Sequence, residues 1–139
     1  MPIELRPGRL SPRSQAVLRK SKIQTALLTF LGNNIRAYRR FKRGIATSRI
    51  LDEHRDLRGM RSRGSFVSIA SRNSLIGCRG STGQELDLVT ELRTNAINAA
   101  FNDSRHSRPL RGPGRFLEIH AVIFTEIQKV TLRGPKDLT

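Results

Sequence analysis

The chain has no tryptophan, one tyrosine and one cysteine, and between Leu5 and Leu51 it has no acidic residue at all. Each shortage excludes something. A lone Cys78 makes no internal disulfide, and a thiolate zinc site needs several ligands at close spacing, so a reducing compartment is expected and a metal is not. The six phenylalanines are mostly wanted by a core, which leaves few aromatic platforms for unpaired bases and favours duplex over single-stranded nucleic acid as a partner. No apolar run approaches the roughly 20 residues that span a bilayer, and the charged start MPIELRPGR lacks a signal-peptide core. A cytoplasmic protein without a membrane partner is expected. A mitochondrial transit peptide is the alternative that an Arg- and Ser-rich, acid-poor N-terminus suggests, with Glu4 and two early prolines against it. His54, His106 and His120 are far apart, and no nucleophile signature surrounds Cys78 or any serine, so no catalytic residue, no cofactor and no enzymatic activity are expected.

What the chain has in excess is positive charge: 26 Lys and Arg against 11 Asp and Glu, a formal +15 in 139 residues. Such a surplus repels itself in compact form and calls for an anionic partner. Arg supplies 21 of the 26 basic residues, which favours planar, bidentate contacts to phosphate and guanine over the point charge of Lys. Residues 1–80 carry 18 basic and 4 acidic residues and residues 81–139 carry 8 and 7, so the functional signal lies in the first half.

Ser11 before Pro12 is a good helix start, and Ile23, Leu27, Phe30 and Leu31 fall on one stripe, predicting a helix over about 12–31 that ends at Gly32, Asn33 and Asn34. A second, shorter helix follows, with Ile35, Tyr38 and Phe41 facing the core. Thr47 or Ser48 caps a third, with Asp52 and Glu53 in its first turn and Ile50, His54 and Leu57 inward. Three short helices within 12–61 are what a helix-turn-helix module requires. Phe66, Val67 and Ile69 suggest a short strand or ordered loop within 62–83, and the spacing of Gly77, Gly80 and Gly83 reads as a turn. Thr82 and Glu85 match a capping box ahead of Leu88, Val89, Leu92, Ala96 and Ala100, predicting a helix over 83–101. In residues 116–132 Ile119, Ile123, Ile127 and Val130 share a helical face, but the β-branched and aromatic composition reads as strand, broken or paired as a ribbon. The fold expected is α+β: a small, mainly helical domain with a helix-turn-helix-like core and a short C-terminal β segment. Residues 1–101 form a basic helical nucleic-acid-binding domain, 102–115 an Arg-, Pro- and Gly-rich loop, and 116–139 an apolar segment of the same domain.

Arg36, Arg39, Arg40, Lys42 and Arg43 place five positive charges within eight residues, and nearby acids are almost absent. Phosphate is the obvious counter-charge, against the plainer reading of a hydrated helix face. Arg49, Arg58, Arg61 and Arg63 continue the candidate interface, diluted by Asp52, Glu53 and Asp56, which pair locally. Arg79 is a further phosphate candidate. Glu85, Asp87 and Glu91 serve the dipole and solubility of their helix.

LRKSK at 18–22, Ala37-Tyr38, LRGM at 57–60 and NSLIG at 73–77 resemble, in order and spacing, archaeal winged helix-turn-helix transcriptional regulators over about residues 16–77. The resemblance implies a three-helix core with a recognition helix in the DNA major groove, a β-wing and a homodimer. Between the matching blocks RRFKRGIATSRILDEHRD departs from the family pattern, so no recognition residue is carried over. The reading is a non-enzymatic DNA-binding transcriptional regulator. The alternative is an RNA-bound structural protein, such as a ribosomal or viral accessory component.

Overall fold

Apolar side chains recurring at three- and four-residue intervals from Ile23 to Ile35 wind into one continuous helix, α2 (Ser21–Phe41), in which Ile23, Leu27, Leu28, Phe30, Leu31 and Ile35 are buried. The computed structural model describes residues 12–62, 64–71, 74–82, 87–103, 116–124 and 129–137. A shorter helix, α1 (Pro12–Arg19), precedes α2 and is separated from it by extended Lys20. The break expected at Gly32–Asn34 is absent. A mid-helix glycine costs about 1 kcal/mol relative to alanine, whereas each large apolar side chain buried around it contributes roughly 1.5–3 kcal/mol. Asn34 is buried and bonded within the helix, its Nδ2 donating to the Phe30 carbonyl at 2.8 Å. The helix ends instead at Lys42, whose φ of 60° is left-handed and whose N–H donates to the Tyr38 carbonyl at 2.8 Å.

The third helix is the six-residue α3 (Ser48–Glu53), followed by a 3-10 turn at Arg55–Leu57. Asp52 and Glu53 therefore fall at its end and not in its first turn, and Thr47 makes no side-chain cap bond. Three helices do lie within 12–61, but the long α2 stands between two short ones, so the breaks fall at Lys20 and after Phe41 and not at Gly32–Asn34.

The β structure is more extensive than the short C-terminal segment expected. β1 (Gly64–Ser71), β2 (Ser74–Thr82), β3 (Phe116–Phe124) and β4 (Lys129–Asp137) form one antiparallel sheet in the order β2-β1-β3-β4. Ser65, Val67 and Ile69 of β1, and Leu117, Ile119, Ala121 and Ile123 of β3, alternate inward. This period of two, rather than a helical stripe through Ile119 and Ile123, sets the last apolar segment as strand. Pro135 lies in the edge strand β4, where a missing N–H is tolerated. Gly77 and Gly80 lie within β2, not in a turn.

The fourth helix, α4 (Leu88–Phe101), starts at Asp87, whose carboxylate accepts from the Thr90 N–H at 2.7 Å. Residues 83–86, including the expected cap partner Glu85, lie outside the described residues. α4 crosses β1 and β2, and α2 packs on α4 and reaches β4. Leu88, Val89, Leu92, Ala96 and Ala100 join the core as their spacing predicts. At the crossing a Cβ on Gly77 would lie 2.0 Å from the Ala99 carbonyl oxygen, so no other residue fits without moving α4.

Candidate nucleic-acid interface

The candidate surface is built on the last two turns of α2. Ile35 is buried, and Tyr38 is half-buried with its ring 5.1 Å from that of Phe101, which ties the end of α2 to α4. Phe41, expected to face the core, is 59% exposed. The reason is angular: each step of three residues falls about 60° short of a full turn, so two steps carry Phe41 roughly 120° away from Ile35. Arg36, Arg40, Lys42 and Arg43 are exposed and Arg39 is half-buried. The guanidinium carbon of Arg40 sits 5.3 Å from the centroid of the Phe41 ring.

Beyond Lys42 the chain is pinned. Asn34 Oδ1 accepts from the Ile45 N–H at 2.6 Å, and Arg93 Nη1 donates to the Ile45 carbonyl at 2.9 Å. A Cβ on Gly44 would come 2.7 Å from Asn34 Oδ1 and 2.9 Å from Ile97 Cδ1. Both helices therefore hold the segment that carries Lys42 and Arg43. A cavity of about 370 Å³ opens beside this segment, lined by Phe30, Ile45, Ile50 and His54 among others.

The charges in the two candidate stretches behave differently. Arg49 Nε donates to Glu53 Oε1 at 3.0 Å, four residues on. Arg58 pairs with Asp52 and donates to the Leu51 carbonyl at 3.3 Å. Among the described residues, no carboxylate pairs with Arg36, Arg39, Arg40, Lys42 or Arg43. Arg61 is exposed, and Arg63 lies outside the described residues. Arg79 donates to the Asn102 carbonyl at 3.0 Å and so faces the end of α4.

Glu91 does not serve the surface of α4; it is buried, 2% exposed, and accepts from Ser62 Oγ at 3.0 Å. Burial pushes its carboxyl above the usual range; the hydroxyls of Ser65, Ser62 and Ser81 oppose that rise and the Asp87 charge adds to it. One turn along α4, Asn95 donates to Ser65 Oγ at 3.0 Å and Ser81 Oγ at 3.2 Å. The spacing of four between Glu91 and Asn95 was a signal that both share a face, although their donors come from other elements. Cys78 is half-buried, and its backbone N–H donates to Asp103 Oδ2 at 2.9 Å. Among the described residues no group of three or more His, Cys, Asp and Glu side chains is placed to hold a metal, and no helix is long and apolar enough to cross a membrane.

An antiparallel sheet crossed by α4, with α2 laid over it and presenting a basic end, defines an α+β protein with a cationic helix terminus. Residues 23–137 match the AMMECR1 family, and the chain belongs to it. No curated protein matches the sequence. Among solved structures it is similar to the uncharacterized protein PH0010 from Pyrococcus horikoshii, with a TM-score of 0.67 and 22% identity, over 78% of this chain and 54% of that one. That likeness shows the fold. The chain spans about half the length of that structure. The family match and the fold overturn the resemblance to archaeal winged helix-turn-helix regulators: the shared blocks at 18–22, 37–38, 57–60 and 73–77 are short, and the sheet that residues 74–77 enter is four-stranded.

Proposed function

We propose that this chain is a non-enzymatic nucleic-acid-binding protein that holds phosphates on the C-terminal end of α2, through Arg36, Arg39, Arg40, Lys42 and Arg43. The observation that carries this reading is that none of the five has a carboxylate partner among the described residues, while the neighbouring Arg49 and Arg58 do. The helix macrodipole offers a partial answer, because its C-terminal end carries about half a negative charge. Half a charge does not balance five. Within the helix Arg36 also repels Arg39 and Arg40, at about 0.2–0.5 kcal/mol for each like-charged pair. The cluster therefore costs stability and is explained by an external anion. Contacts of this kind read the backbone and not the bases, so the reading includes no recognition helix and no transcriptional target.

The test is the salt dependence of binding to a 20-bp DNA duplex and to an RNA duplex of the same length. Each phosphate neutralised adds about −0.9 to the slope of log affinity against log salt. Replacing Arg36, Arg39, Arg40 and Arg43 by alanine should flatten that slope by roughly 3–4 units, with the melting temperature unchanged or raised. An unaltered slope in the folded variant makes the cluster a solvated face.

A further inference from the structure

Among the described residues Phe41 is the one aromatic of the large exposed apolar side chains, and it projects from the middle of the cationic run, between Arg40 and Lys42. We propose that Phe41 is a stacking platform for an unpaired nucleobase, so that the preferred partner of the α2 terminus is a single strand or an unpaired segment. This inference rests on the phosphate-binding reading above and names its substrate class.

Three observations converge. The ring is not core material, because the pitch of α2 turns it away from the stripe that ends at Ile35 and because Tyr38 already makes the aromatic contact to α4. Arg40 lies over the ring at 5.3 Å, a cation-on-face arrangement that holds the side chain and lends a guanidinium plane beside it. Finally, the flanking residues Arg39, Arg40, Lys42 and Arg43 match a ligand whose apolar face is bracketed by its own phosphates, which is the layout of a base in a single strand. Proteins that bind single strands combine these two elements, a cationic track and aromatic faces, and they do so with little sequence preference because every base has a π-face. A duplex keeps its bases stacked inside and offers this ring only backbone. The scarcity of aromatics in the sequence had pointed to duplex; placement, not number, reverses that preference.

The chain contains no tryptophan, so Phe41→Trp introduces a single indole at the site. Titrating this variant at low salt with a 12-nucleotide single strand should quench its fluorescence, and the matching duplex at equal occupancy should not. Phe41→Ala should bind the single strand about 5- to 150-fold more weakly, the range for loss of one base stack. Its salt slope should stay unchanged, because no phosphate contact is lost, and its melting temperature should stay that of the parent. Three results overturn the inference. If quenching is equal for duplex and single strand, or absent while the salt slope persists, the ring does not stack and the phosphate-binding reading stands alone. If Phe41→Trp emission shifts with protein concentration and not with nucleic acid, the ring meets a second copy of the chain. If the parent binds neither strand form, the phosphate-binding reading fails and takes this one with it.

Discussion

Residues 36–43 and residues 49–58 are both rich in arginine, yet they end in opposite electrostatic states. In the second stretch Arg49 and Arg58 find Glu53 and Asp52 four and six residues away. In the first, no described carboxylate pairs with any of the five cations. Exposed ion pairs contribute only about 0–1 kcal/mol, so pairing does little for the fold. What it does is satisfy charge locally, leaving Arg49 and Arg58 with less to gain from phosphate. Counting basic residues makes the two stretches alike; locating their partners separates them.

The same rule operates in the core, where Glu91 is kept by Ser62 and the neighbouring Ser65 and Ser81. A carboxylate one residue further on has no such reception, because Leu92 is fully buried among apolar side chains. The largest expected effect therefore follows from Leu92→Asp. An unpaired charge there should cost on the order of several kcal/mol, a large share of the stability of a small domain, and thermal melting should show an unfolded or grossly destabilised protein. A variant that melts like the parent would mean that α4 does not bury this face.

A smaller effect separates strain from binding within the cluster. Lys42 holds a left-handed backbone with φ 60°, which costs a non-glycine residue about 1–2 kcal/mol. Lys42→Gly should raise stability by about 1 kcal/mol while flattening the salt slope by about 0.9. If stability rises and the slope stays, Lys42 only caps the helix.

The smallest effect is a pH dependence. A carboxyl raised by burial binds its proton more tightly in the folded chain than in the unfolded one. Between the unfolded value of about 4.3 and the raised folded value of Glu91, stability therefore falls as pH rises. Glu91→Gln does not titrate. Its stability relative to the parent, from urea unfolding at several pH values, should climb across that window and level off above it. A difference independent of pH would contradict the burial of the charged form.

Much of the fold was legible where a residue's reason is local. The stripe from Leu88 to Ala100 marked α4, because burial on one face writes a period into the sequence, and the β-branched and aromatic composition of residues 116–132 marked strand. What was not legible depends on distant partners. Asn34 looked like a helix stop, and it continues the helix because Ile45, eleven residues on, supplies its second bond. Glu91 looked like a surface acid, and its donors arrive from β1, β2 and the segment before them. Gly77 looked like a turn, and it is a strand residue that lets the Ala99 carbonyl approach. At the candidate site the cations of 36–43 were legible as a group, whereas the exposure of Phe41 was hidden by a spacing of three that resembles a helical face and drifts off it.

The measurement that bears most directly on the difference between the two arginine-rich stretches removes the same number of charges from each. Arg36→Ala with Arg40→Ala, and Arg49→Ala with Arg58→Ala, are compared for the salt dependence of binding to one nucleic acid, with folding confirmed by melting. The account predicts a slope flatter by about 1.8 for the first pair and nearly unchanged for the second. Equal flattening in both would contradict it, because total charge, and not the absence of an internal partner, would then govern binding.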